Sequence, residues 1–208
     1  ADNGPPTTGK LRANLAAAGY KPEDINHVIL SHYHGDHING LRAKDGSLVY
    51  PNAKVHVPAP EHAYWMDDAR MEAAPPAMKG AFQAVRRTVG SLPASQLVMF
   101  EPGAEIAPGI TSSAAFGHTP GMSIFTIRSE GQSFVYVADV VNVPSLFARS
   151  PEWAVAFDMD AEMAKQTRRR VFDMLVKDKT VAGGFHFPFP AFGTLEAAGN
   201  GYQFKPMA

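Results

Sequence analysis

The 208-residue chain has no cysteine. That absence excludes disulfides, thiolate zinc sites and a cysteine nucleophile together, while a cysteine-free chain is stable in either redox environment. Long hydrophobic runs are lacking too. No apolar stretch approaches the roughly 18–20 residues that a helix needs to cross a bilayer, so no membrane partner is expected. Neither sign of charge dominates: 19 Lys and Arg against 20 Asp and Glu leave a formal net charge of −1. General attraction to nucleic acid or to anionic membranes is therefore not expected. The opening segment Ala1-Asp2-Asn3-Gly4-Pro5-Pro6 has no basic start and no apolar stretch. No signal peptide is visible in it, and it reads as a loop in mid-domain; a periplasmic or secreted location and a cytoplasmic one both fit. What is present is a globular composition, 45% hydrophobic and 19% charged. The length suits one domain with a real core, so 1–208 is read as a single unit without repeat, linker or low-complexity tract.

Hydrophobic periodicity predicts an α/β chain. Thr8 to Gly19 reads as a short helix with Leu11, Leu15 and Ala18 at helical spacing. Pro22 opens a turn, and Asn26 to Ser31 reads as a buried strand. Ile38 to Leu41 is helical or turn-like, and Val49 to Val57 carries one or two strands. Helices are expected over Glu61 to Asp68 and Ala77 to Val89, broken at Pro75-Pro76. Strands follow at Leu97–Phe100, Ile110–Ala115, Ile124–Ile127 and Phe134–Val137, punctuated by glycine and proline. Asp160 to Val176 reads as an amphipathic helix with Met163, Thr167, Val171, Met174 and Leu175 on its buried side. Thr180 to Ala182 leads as a strand into Gly183-Gly184-Phe185-His186.

Three of the eight histidines fall within six residues, in His32-Tyr33-His34-Gly35-Asp36-His37, directly after the first strand. Ligand-bearing loops collect at strand ends in open α/β layers, and imidazole with carboxylate suits zinc and similar divalent ions. Three more segments each bring one good ligand at a strand end or turn: Gly117-His118-Thr119-Pro120-Gly121, Val137-Ala138-Asp139, and Gly184-Phe185-His186. Each alone is weak. A turn histidine, a helix cap and a buried histidine are the plain readings of His118, Asp139 and His186; their order along the chain is what gives them weight.

The order His32-x-His34-x-Asp36-His37, then His118, Asp139 and His186, resembles the metallo-β-lactamase superfamily. Within it the chain is most similar to the methyl parathion hydrolase branch and its lactonase and arylesterase-like relatives. The likeness extends to Thr8-Gly9-Lys10-Leu11-x-x-Asn14-Leu15, Tyr50-Pro51-Asn52-Ala53, Gly117 to Gly121 and Gly199-x-Gly201-Tyr202-x-Phe204. It implies an α/β metallo-β-lactamase fold, an αββα sandwich, here without the strands that open the family's domain. It also implies that His32, His34 and His118 hold one metal, that Asp36, His37 and His186 hold a second, and that Asp139 bridges them. Two such ions, roughly 3.5–4 Å apart, share a bridging water whose pKa falls toward about 7, and the resulting hydroxide is the nucleophile. Asp36 and Asp139 are thus the catalytic candidates. Zinc is the first expectation for both ions, and manganese, iron or cobalt also suit all-N/O ligands. No Gly-x-Ser-x-Gly elbow is present.

Two positions depart from the family pattern. Met122 stands where many relatives carry histidine after Thr-Pro-Gly, and Ala138 stands where glycine usually precedes the bridging aspartate. The front of the domain is the larger departure, and it implies a fragment, a homo-oligomer or a chain that supplies the missing strands. A small-molecule substrate is expected. Aromatic surface near the metals is expected from Trp65, Phe82, Phe147, Phe185, Phe187, Phe189 and Phe192, with Trp65, Phe82 and Phe187 as the substrate-binding candidates. Trp65 matches an aromatic of the leaving-group pocket in that branch, whereas Ala81 replaces a neighbouring aromatic and weakens a phosphotriester reading. Arg168-Arg169-Arg170 reads as a solvated helix face. The resemblance implies hydrolysis of an ester, lactone or phosphotriester. A β-lactamase acting on amide bonds and a metal-binding protein without turnover are the alternatives, and a flavodiiron-type oxidoreductase is disfavoured because nothing marks a flavin domain.

Overall fold

The computed structural model describes residues 9–207. Thr8 and the opening loop reading therefore lie outside the described residues. The chain divides into two compact units, Ala1–Phe100 and Glu101–Ala208. Among the described residues no helix is long and apolar enough to cross a membrane.

The first unit is built on three parallel strands, β1 (His27–Ile29), β2 (Lys54–Pro58) and β3 (Leu97–Phe100), in the order β1-β2-β3. β2 lies between two neighbours, so its Val55, His56, Val57 and Pro58 are all buried, as a central parallel strand requires. Helices α1 (Leu11–Ala17), α2 (Gly35–Ile38), α3 (Ala59–Met66), α4 (Asp68–Ala73) and α5 (Pro76–Val85) fill the connections. α3 carries Pro60 in its first turn, where a missing N–H costs nothing. It stops where Asp67 turns extended and accepts the Arg70 N–H to cap α4. The expected helix over Glu61 to Asp68 thus starts earlier and ends sooner. The Ala77 to Val89 helix is regular only to Val85, then widens into a π-turn over Arg86–Gly90. Of the one or two strands expected over Val49 to Val57, one is present, β2. Trp65 and Phe82 pack with ring centroids 4.8 Å apart and, with Val85 and Val89, are buried in this unit.

The second unit is a seven-stranded sheet. Its strands are β4 (Glu105–Ala107), β5 (Ile110–Ala114), β6 (Ser123–Ser129), β7 (Gln132–Tyr136), β8 (Val181–Gly183), β9 (Phe192–Ala198) and β10 (Gly201–Pro206), in the order β10-β9-β8-β7-β6-β5-β4. β6 and β7 meet at the two-residue turn Glu130-Gly131, where φ is 50° and 76°, the doubly positive pair of a tight hairpin. Only β7 and β8 run parallel. A parallel pair needs a long crossover, and that connection holds α6 (Pro144–Phe147) and α7 (Ala161–Asp178).

α7 buries Ala164, Thr167, Arg168, Val171, Phe172 and Leu175, a stripe at three- and four-residue spacing. Phe172 and Leu175 belong to a core with Ile124, Val135, Ala182, Leu195 and Tyr202. Two expectations are corrected on this helix. Met163 is 42% exposed, because the stripe turns one residue further round to Ala164. Arg168 is 1% exposed and sits inside the unit, so the three arginines do not form one solvated face. Strands β4, β9 and β10 and helix α6 were not legible from periodicity.

Candidate metal centre

Every candidate ligand follows the C-terminal end of a strand or its connecting loop. In the first unit, β1 ends at Ile29 and the chain runs through Ser31 and His32 into α2, with His34 as its N-cap, Asp36 in its first turn and His37 in its last. The His32 ring lies 4.1 Å from that of His37 and 4.9 Å from that of His34, centroid to centroid. Ser31 Oγ is 3.0 Å from His32 Nδ1, which leaves Nε2 as the ligating atom. Asp36 Oδ2 is 3.4 Å from His37 Nε2, and its side chain is 48% exposed. Three imidazoles this close would repel one another if protonated. Neutral and turned to a divalent cation they are mutually compatible, and the donor set holds no sulfur.

The backbone of this loop is held from below by α3. Tyr33 N–H donates to Glu61 Oε1 at 3.0 Å, and Trp65 Nε1–H donates to the same oxygen at 2.9 Å. Glu61 is fully buried. Burial, and then the charge of Glu61, push the Tyr33 phenol well above its ordinary pKa, while burial lowers that of His62. The Tyr33 phenol oxygen lies 2.9 Å from His62 Nδ1, within hydrogen-bond distance. A buried carboxylate on α3 thus holds the backbone between His32 and His34. Glu61 was missed in the sequence because a glutamate in a helix's first turn is the commonest of surface residues.

In the second unit, Asp139 is the meeting point. It follows β7 in a short 3-10 turn, Ala138–Val140, and is buried. Its Oδ2 lies 3.1 Å from His186 Nε2 and 3.3 Å from His118 Nε2, with Asn142 Nδ2 donating at 3.4 Å. Ala138 turns the chain at φ 48°, the left-handed region in which glycine is at ease, which explains the expected glycine there. His118 Nδ1 lies 2.8 Å from Asp158 Oδ1. Burial disfavours a charged His118, yet the Asp139 and Asp158 carboxylates outweigh it and raise its pKa to about 9. The atom that would carry that proton toward Asp139 is Nε2, where a divalent cation would replace it. The second-unit residues therefore fit a metal.

Gly117 makes this loop workable. Its φ is 124°, and a Cβ there would stand 2.3 Å from the backbone nitrogen of Ala164, at the start of α7. Met122 is buried among the core residues of this unit and touches the ligand loop through its carbonyl, which accepts from Ala115 N–H. Trp65 and Phe82 are packed inside the first unit. Phe187 is packed inside the second, 5.1 Å from the Phe204 ring. Phe185 and Phe189 are exposed, at 52% and 97%. Asp158, like Glu61, has no motif to announce it; Asp158-Met159-Asp160 reads as a helix lead-in, and only Asp160 caps α7.

The sequence pattern of the metallo-beta-lactamase superfamily matches residues 2–184. An N-acyl homoserine lactonase of Bacillus cereus is 25% identical over 170 residues, which are 80% of this chain and 58% of that protein. The chain thus spans a little over half the length of this relative. The structure of the hydrolase AbOPH, in the beta lactamase superfamily, superposes with a TM-score of 0.89 at 29% identity, over 96% of this chain and 70% of that one. AidC, a dizinc quorum-quenching lactonase solved in complex with a product, superposes with a TM-score of 0.84 at 26% identity, over 99% of this chain and 72% of that one.

Proposed function

Since the chain belongs to the metallo-beta-lactamase superfamily and has its alpha/beta fold, we propose that it is a two-metal hydrolase that opens a lactone or a related ester. The observation that supports this most is the second-unit half of the site. There two imidazole Nε2 atoms converge on one buried carboxylate oxygen, Asp139 Oδ2, in the sequence order that the family uses. In this reading His32, His34 and His118 hold one divalent ion, Asp36, His37 and His186 hold the other, and Asp139 serves both. Zinc is the first choice, in keeping with the dizinc lactonase relative.

Two divalent ions, when bound, supply a water acidified toward a pKa of about 7 and a Lewis acid for the carbonyl oxygen. The chain's own residues do the rest. Asp36, the exposed carboxylate of the motif, orients the attacking water and accepts its proton. The acyl C–O bond breaks, and Asp36 returns that proton to the departing alkoxide. His186, with a side chain 33% exposed, forms the open side through which substrate enters. Trp65 and Phe82, buried in the first unit, and Phe187, buried in the second, are the substrate-side aromatics of this reading. Lactones are favoured over phosphotriesters because the lactonase relatives open acyl homoserine rings and because Ala81 offers no aromatic face.

Metal analysis of the purified protein beside a panel of an acyl-homoserine lactone, an aryl ester, a paraoxon-type phosphotriester and nitrocefin tests this. Two metal equivalents and lactone or ester turnover are expected, with His32→Ala and Asp139→Ala losing both. Full activity in a metal-free preparation would refute the proposal, and nitrocefin as the preferred substrate would transfer it to amide bonds.

A further inference from the structure

We propose that the buried ion pair Asp158–Arg168 positions both His118 and Asp139 for metal binding, so that one face of α7 sets the geometry of the second-unit ligands. The proposal rests on the ligand set above and adds two residues that touch neither substrate nor metal.

Both side chains are withdrawn from solvent, Arg168 at 1% and Asp158 at 0% exposure, with Arg168 Nη2 3.8 Å from Asp158 Oδ2. Asp158 spends its two oxygens separately. Oδ1 faces His118 Nδ1 at 2.8 Å, and Oδ2 accepts the Val155 N–H at 3.1 Å. A carboxylate on Nδ1 leaves Nε2 as the lone-pair nitrogen and fixes the plane of the ring. Nε2 is the atom that points at Asp139.

Arg168 reaches the other ligand through the backbone. Its Nε donates at 2.8 Å to the carbonyl of Val140, the residue directly after Asp139. Its Nη1 donates to the carbonyls of Pro151, at 2.9 Å, and Trp153, which fastens the loop leading to Asp158. The guanidinium also lies over the Phe147 ring at 4.8 Å. A rigid fork of five donors holds two loops in a fixed geometry, which the compact three-donor ammonium of lysine does less well. The residue before Arg168, Thr167, donates its Oγ1 hydroxyl to the Phe116 carbonyl at 2.7 Å, two residues before His118. The backbone N–H groups of Met159 and Asp160 close the same loop on the carbonyls of His118 and Gly117. Neighbouring residues of α7 therefore hold the His118 loop and the Asp139 loop in one frame.

The test is zinc affinity by chelator competition on the intact protein, with thermal melting on each variant. Asp158→Asn and Arg168→Lys should weaken zinc binding roughly 10- to 100-fold, the usual cost of losing a partner behind a metal ligand. Val171→Ala removes core volume from the same helix without removing a hydrogen bond to either loop, so it should lower the melting temperature and leave zinc affinity unchanged. Zinc affinity of Asp158→Asn equal to that of the parent would overturn the proposal, as would an equal loss in Val171→Ala. The hydrolase reading is judged separately, by turnover of the parent protein. Tight zinc binding lost in Asp158→Asn, without turnover in the parent, would sink that reading and leave this one standing.

Discussion

Replacing Glu61 should unfasten the loop that carries His32 and His34. Its Oε1 receives two buried N–H groups, from Tyr33 at 3.0 Å and Trp65 at 2.9 Å. Hydrogen bonds to an ionised acceptor are worth about 1.5–3 kcal/mol each, so two amount to about 3–6 kcal/mol. Removing the carboxylate also removes the cost of keeping a charge out of water, which pulls the net toward the lower end. Glu61→Ala should therefore cost about 3–4 kcal/mol, a large share of the roughly 5–15 kcal/mol that keeps a domain folded. At ~2–4 °C per kcal/mol for a chain of this size, the melting temperature should fall by about 10 °C. Glu61→Gln keeps an acceptor for both donors and should cost about 2 kcal/mol. Urea unfolding followed by tryptophan fluorescence is the assay, since the indole of Trp65 is itself one of the donors. A loss below about 1 kcal/mol in Glu61→Ala would refute the reasoning, because two stranded buried donors cannot be that cheap.

Two further substitutions probe the backbone of the second-unit ligand loops. Ala138→Gly should stabilise the protein by about 0.5–1 kcal/mol, since the left-handed φ of 48° costs alanine more than glycine loses in chain entropy; a lower urea midpoint would contradict it. Gly117→Ala should destabilise by more than about 3 kcal/mol. Its Cβ would meet the Ala164 backbone nitrogen at 2.3 Å, and neither backbone can yield without moving His118 off α7. A melt within about 2 °C of the parent would show that the loop gives way more easily than this packing allows.

Much of the fold was readable because burial imposed a period on it. β3 has the expected bounds, and β1, β5, β6, β7 and β8 lie within two residues of theirs at every end. All are short apolar runs closed by glycine, proline or a polar turn. β9 and β10 escaped because Phe192-Gly193-Thr194-Leu195-Glu196-Ala197-Ala198 and its partner alternate weakly. Their strand form comes from pairing with each other and with β8. The stripe on α7 was placed almost correctly, but its polar members defeat pattern reading. Thr167 and Arg168 are buried by the carbonyls they serve, and no periodicity of hydrophobic residues records a carbonyl.

By itself the sequence determined the ligand alphabet and its order: three histidines and an aspartate in six residues, then His118, Asp139 and His186, with no thiolate to compete. Ligand identity is carried by side-chain chemistry, and side chains are written directly in the chain. The tertiary structure alone decided what stands behind those ligands: Asp158 on His118, Arg168 across two loops, Glu61 beneath Tyr33. These partners lie 15 to 40 residues from what they hold. At such separations only packing determines which charge is buried against which hydrogen bond.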